Sequence, residues 1–227
     1  MVRLAVTADG QRLLLNSGTS VRTYCITLAS PKSPLSKEQQ QMMIAGKKLA
    51  FQAETSEGTF QLHEEDRMTS YLSLACHPLK PDWVYLATID GSLSFSLWEL
   101  SRHKEVAKFE GMDAWAQTMR VSGDGRRITA KSSKAKHLVR DAATGKVVSQ
   151  FNGPAFAPAI DISHDGSRVM IHASDAHLEE WSVDPPKKLW ELRPQVKRIH
   201  HVHYFDQGRQ VALAGTIGVE IWKLDVP

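Results

Sequence analysis

The feature that most constrains the fold is a stretch the chain writes repeatedly, clearest as APAIDISHDGSRVMIHASDAHLEEW from Ala157 to Trp181. Ile160 and Ile162 alternate with Ala159 and Asp161, which puts one set on each face of a strand. His164-Asp165-Gly166-Ser167 supplies turn chemistry, because Asp bonds its own backbone and Gly accepts a positive φ. Residues Arg168 to Ala173 read as a second strand, Leu178 to Val183 as a third, and Lys188 to Leu192 as a fourth.

The first-turn position recurs as Gly10, Gly46, Asp82, Gly125, Gly166 and Gly208, at intervals of roughly 36 to 43 residues. Several short strands per period of about forty predict propeller blades rather than a sandwich. A helical repeat would need apolar residues at i, i+3 and i+4, and they are absent. The expected architecture is all-β: a β-propeller of about six four-stranded antiparallel blades, complete in itself or part of a longer ring. The units run roughly over 4–30, 42–67, 71–110, 115–152, 157–193 and 199–225 of a single domain, 1–227. In the second unit, Lys48 to Ala53 and Thr59 to His63 predict a hairpin about Ser56-Glu57-Gly58. An insert at 30–41 breaks the pattern, and Ser36 with Gln39 fits a capping box there.

These residues resemble the WD-repeat family of β-propellers. The resemblance rests on the Asp-Gly turns at Asp9-Gly10, Asp124-Gly125 and Asp165-Gly166, followed by Arg12, Arg127 and Arg168. It rests also on the third-strand ends Trp98-Glu99, Trp181-Ser182 and Trp222-Lys223. Arg140 to Val147 resembles the family's turn into the outer strand, with Arg140 where Trp is usual. The resemblance implies that Asp175, and more loosely Asp90, match the family's stabilising Asp. It also implies a protein partner met through loops and channel mouth, and ring closure completed by a terminal strand. No spare strand is evident at either end, so closure is expected to use a strand hidden in the insert, further chain, or a partner strand.

Composition narrows the function. Net charge is +3 with 23% charged residues, which neither demands nor excludes nucleic acid; the densest basic run has no interleaved aromatics for bases to stack on, so nucleic acid is not expected as a partner. Cys25 and Cys76 both lie in apolar strand-like runs and read as buried thiols rather than a disulfide framework. No apolar run reaches membrane-spanning length, and the first residues lack the apolar centre of a secretory signal. The expectation is a cytoplasmic protein with no membrane partner.

No catalytic motif emerges, and neither a cofactor nor a metal is expected. His201 and His203, two apart on a strand, share a face; the alternative reading is an enzyme-type propeller with a metal or cofactor there. A third reading is the sensing part of a larger signalling protein. Glu179-Glu180 and the run His63 to Asp66 read as solvated turns, since adjacent strand residues face opposite ways. Trp98, Trp181 and Trp222 read as packing between blades. Lys131, Lys134, Lys136 and Arg140 form the densest basic run, and with Lys37 of the insert they mark the candidate partner surface. The reading that follows is a non-catalytic interaction scaffold.

Overall fold

The computed structural model describes residues 2–9, 12–17, 20–25, 56–61, 70–89, 93–102, 104–109, 116–132, 136–153, 160–174, 177–196 and 198–224. Among them every strand pairs antiparallel, and five sheets form. Sheet I joins β1 (Val2–Val6), β2 (Arg12–Ser17), β3 (Ser20–Cys25) and β4 (Ser56–Gln61). Sheet II joins β5 (Ser70–Cys76), β6 (Trp83–Ile89), β7 (Leu93–Glu99) and β8 (Lys104–Phe109). Sheet III joins β9 (Ala116–Val121), β10 (Arg127–Ser132), β11 (Lys136–Asp141) and β12 (Val147–Asn152). Sheet IV joins β13 (Ile160–Ile162), β14 (Arg168–Ser174), β15 (His177–Ser182) and β16 (Lys187–Leu192). Sheet V holds β17 (His201–Phe205), β18 (Gln210–Gly215) and β19 (Gly218–Lys223), with a 3-10 turn at Asp206–Gly208. In each sheet the spatial order follows the sequence.

The second expected unit is corrected. Ser56-Glu57-Gly58 is not a turn; it opens β4, which pairs with β3 as the fourth strand of sheet I. The open edge of β3 offers a row of backbone donors and acceptors to the β-prone Thr59 and Phe60, opposite Arg22 and Val21. The register shifts between Thr23 and Tyr24, a bulge that seats Gly58 beside Thr23. The described residues therefore carry five sheets where six units were expected. Lys48 to Ala53, the insert with Lys37, and His63 to Asp66 lie outside the described residues.

The sheets stack in sequence order. β1 packs beside β5, β5 beside β9, β9 beside β13, and β13 beside β17. Each sheet thus has a forward face, toward its successor, and a back face, toward its predecessor. Leu14 of sheet I meets Val84, Leu86 and Trp98 of sheet II. Tyr85, Phe95 and Leu97 of sheet II meet Met119 and Ile128 of sheet III. Val139 and Phe151 of sheet III meet Ile160 and Val169 of sheet IV. Met170 and Leu178 of sheet IV meet Val202, Tyr204 and Leu213 of sheet V. Period-two alternation is what lets one strand feed both interfaces, and each fully buried aliphatic side chain contributes about 1.5–3 kcal/mol.

The turns after the first strands repeat one hydrogen-bond pattern three times. Thr7, Ser122 and Ser163 each donate a hydroxyl to the Asp two residues on, at 2.6 Å in all three. Each hydroxyl oxygen also accepts the amide of Arg12, Arg127 or Arg168 at 3.0 Å. Gly125 and Gly166 take φ of +72° and +70°, as the Asp-Gly pairs require. The turns also touch from sheet to sheet. Arg12 pairs with Asp82 at 2.9 Å, His77 lies against Gly125, Asp124 donates its amide to the His164 carbonyl at 2.8 Å, and Arg127 lies against Gly166.

No helix among the described residues is long and apolar enough to cross a membrane. Cys76 is a free thiol; burial, and secondarily Asp9, push its pKa up to about 12.

Candidate functional site

An opening that carries both apolar and charged groups lies between sheets II and III. β6 and β7 place Trp83, Tyr85 and Leu97 on the forward face of sheet II, because Trp83 pairs with Glu99 and Tyr85 with Leu97 in one register. The turns of sheet III rise opposite them. The result is a groove of about 590 Å³ whose floor is Trp83, Tyr85, Leu97 and Ala107 and whose rim carries Lys80 and Arg126.

The floor is held rigid. The Leu79 amide donates to Nδ1 of His77 at 3.1 Å, which leaves the ring proton on Nε2. That imidazole stacks on Tyr85, with centroids 6.1 Å apart and planes at 19°. Burial, then the Lys80 charge, lowers the His77 pKa, so the ring is neutral at neutral pH. The Tyr85 hydroxyl donates to the Ala142 carbonyl at 3.4 Å. Burial, with the Asp141 charge, pushes its pKa up to about 12. Arg127 and Asp141 pair at 2.7 Å on the groove wall. At the rim, the Lys80 ammonium lies 3.7 Å above the Trp83 ring, and Arg126 is largely in water, 3.9 Å from Asp124. The opening is therefore an aromatic and aliphatic trough with a basic lip.

A second centre lies on the first strands. Asp161, 4% exposed on β13, accepts the Tyr204 amide at 2.8 Å and faces Nδ1 of His203 at 3.0 Å. Arg120 of β9 stands 4.0 Å from its other oxygen. Arg120, Asp161 and His203 thus form a row across three successive sheets. The hydrogen bond that Nδ1 of His203 donates to Asp161 outweighs burial and raises the His203 pKa.

The structure sorts the residues singled out in the sequence. Trp98, Trp181 and Trp222 occupy one register position, opposite Val84, Val169 and Val211. Arg140 stands at that position in sheet III, opposite Ile128. It is 3% exposed, donates to the Gly145 carbonyl at 2.8 Å, and lies 5.8 Å from the Phe95 ring. Lys131 is 2% exposed on β10, and burial lowers its pKa to about 8. These two residues are corrected: strand alternation turns them into the interfaces with sheets II and IV, so neither is offered to a partner. Lys136 remains half-exposed on β11. Lys134, Asp90 and Asp175 lie outside the described residues.

The Glu179-Glu180 reading is also corrected. Both lie within β15, and opposite faces send them to different tasks. Glu180, 1% exposed, takes Arg168 and Tyr204. Glu179 takes the Trp181 indole at 2.9 Å and Lys188 at 3.0 Å. Glu220 repeats that indole bond with Trp222 at 2.9 Å. His201 and His203 do share the exposed face of β17. His177, Glu179 and Glu191 also gather, but Lys188 and Arg193 already neutralise that pair of carboxylates.

Sequence reasoning missed the hydroxyls Thr7, Ser122 and Ser163 and the buried carboxylate Asp161. The hydroxyls had a signal, a Ser or Thr always two before the Asp. Asp161 had one too, a charge alternating with isoleucines on a buried strand. No known family model matches the chain, and no curated protein matches it.

Proposed function

We propose that the chain is a non-catalytic protein-interaction scaffold, a β-propeller of the WD-repeat type that acts in the cytoplasm. The observation that carries the reading is the groove between sheets II and III. It is open, lined by rigid aromatic and aliphatic groups, and edged by Lys80 and Arg126. Such a trough takes an extended peptide whose apolar side chain enters against Trp83 and Leu97 while neighbouring carboxylates meet the lip. The stacked sheets serve as the frame that fixes the walls.

The test is selection from a random peptide library on the purified chain. Enriched acidic peptides with one large apolar residue, whose binding falls at least tenfold in Trp83→Ala and in the double variant Lys80→Glu/Arg126→Glu, support the reading. Enrichment indifferent to those substitutions, or none at all, overturns it.

A second reading has one specific observation behind it. Asp161 binds Nδ1 of His203 and leaves Nε2 facing outward, the arrangement in which a metal or an acid–base step uses imidazole. Zinc titration followed by calorimetry checks it: stoichiometric uptake abolished by His203→Ala favours this reading, and no uptake removes it.

A further inference from the structure

Lys80 belongs to the lip of the groove and to its floor at once. Lys80-Pro81-Asp82-Trp83 is a tight turn in which the Trp83 amide donates to the Lys80 carbonyl at 3.0 Å. Pro81 sets the φ that the second position of such a turn favours. The turn is fixed from outside as well. The Asp82 carboxylate takes Arg12 of sheet I at 2.9 Å and the Ser101 amide at 3.0 Å, and the Asp82 carbonyl accepts the Leu100 amide at 2.8 Å. Held in this way, the turn returns the Lys80 side chain over Trp83, with the ammonium 3.7 Å from the ring centroid.

Among the described residues Lys80 forms no ion pair with a carboxylate, and the one nearest in sequence, Asp82, is already engaged. Trp83 itself packs against the core shared by sheets II and III, and the His77 ring meets it edge-on at 89°. The ammonium therefore caps the indole that forms part of the groove floor. The attraction of an exposed cation for an aromatic face corresponds to about a two- to fivefold preference for staying there. A carboxylate brought close competes on better terms, because it adds a charged hydrogen bond to the Coulomb attraction. Arg126 differs. It stands on the same lip with its side chain 82% exposed, and among the described residues its guanidinium lies over no ring.

We propose that Lys80 is a gate that makes the groove selective: its ammonium covers Trp83 until a carboxylate of the peptide draws it aside, and the peptide's apolar side chain then reaches the indole. This rests on the groove as the peptide site, and it couples the two halves of recognition there. A peptide without acid must displace the ammonium unaided, so its affinity is reduced by the fraction of time the ring is open. An acidic neighbour removes that penalty. Specificity thus comes from what the groove refuses as well as from what it holds.

The test uses two capped peptides on the full chain, acetyl-Ser-Glu-Leu-Glu-Ser-amide and its neutral twin with Gln in place of both Glu. Binding is read by NMR titration, which follows weak complexes. The neutral twin is expected to bind Lys80→Ala about two- to fivefold tighter than the wild type, because the ring is already bare. Arg126→Ala removes a charge from the same lip; it is expected to weaken the acidic peptide and to leave the neutral twin unchanged. If the acidic peptide binds the wild type but Lys80→Ala holds the neutral twin no tighter, the gate is overturned and the groove reading stands. An equal gain for the neutral twin in Arg126→Ala overturns the gate too, since a general loss of positive charge then explains both. Failure of the acidic peptide to bind the wild type overturns the groove reading, and the gate with it.

Discussion

The guanidinium of Arg168 leaves its own turn and donates to the carbonyl oxygen of Gly208, in the next turn, at 2.7 Å. The same group holds Glu180 at 2.9 Å, and that carboxylate oxygen also accepts the Tyr204 hydroxyl at 2.7 Å. Burial, then the Glu180 charge, drives the Tyr204 pKa well upward, so the phenol stays a donor. One arginine thereby joins sheets IV and V. Arg168→Ala strands a buried carboxylate and is expected to cost about 3–5 kcal/mol in urea unfolding. Arg168→Lys is expected to recover little, since an ammonium lacks the fork that reaches both acceptors. A loss of under about 0.5 kcal/mol, the range of ordinary surface changes, refutes this account.

Gly166 meets two demands at once. Its φ is +70°, and a Cβ there would fall 2.7 Å from Cγ of Arg127. Gly166→Ala is expected to cost about 2 kcal/mol, from left-handed backbone plus the clash. In an Arg127→Ala background the 2.7 Å contact with Cγ is gone while the Cβ of residue 127 stays at 3.1 Å, so the cost drops toward the backbone part. A double-mutant cycle measures the difference, and strict additivity counts against stacking of the turns.

Ser163 is fully buried and serves both Asp165 and the Arg168 amide. Ser163→Ala is expected to lose about 1–3 kcal/mol, the cost of unmade buried hydrogen bonds. Ser163→Thr is expected to keep most of the stability, because Thr7 does the same work in sheet I. Burial raises the Asp165 pKa, but bonds from Ser163 and Ser167 outweigh it and hold the carboxyl below its usual 3.8. That stability is present above pH 3.8 and lost as pH falls through the folded value. Ser163→Ala is therefore also expected to flatten the acid limb of the stability curve.

His137 is fully buried between sheets III and IV, and among the described residues neither ring nitrogen finds a hydrogen-bond partner. Burial, helped by the Lys131 charge, lowers its pKa from 6.5 to about 4. The folded chain thus excludes a proton that the unfolded chain takes up. Stability is full above pH 6.5 and falls by up to about 3 kcal/mol as pH drops toward 4. Chemical denaturation across that range is expected to show the slope in the wild type and to lack it in His137→Leu. Equal slopes would assign the acid sensitivity elsewhere.

Strand positions were legible because alternation reports them directly. Ile160 with Ile162, and Val202 with Tyr204, declare a buried side without any tertiary knowledge. The Asp-Gly pairs at 124–125 and 165–166 likewise declared their turns. The count of sheets was not legible, since Ser56–Gln61 reads equally well as half of a hairpin or as an edge strand, and only the vacancy beside β3 decides. The basic run was misread for a related reason. Sequence gives the charge of Lys131 and Arg140, but which face a strand residue takes depends on register with a neighbour far along the chain. The groove was invisible to sequence because Lys80 and Arg126 come from different sheets.

The recurrence of one turn in sheets I, III and IV makes each unit a nearly standard part. The same hydroxyl, carboxylate and arginine amide close the turn each time. A gene segment copied once would therefore bring its own closed turn with it. Lengthening such a chain asks only that a junction like Arg168 to Gly208 be repeated, so growth by duplication needs few further substitutions.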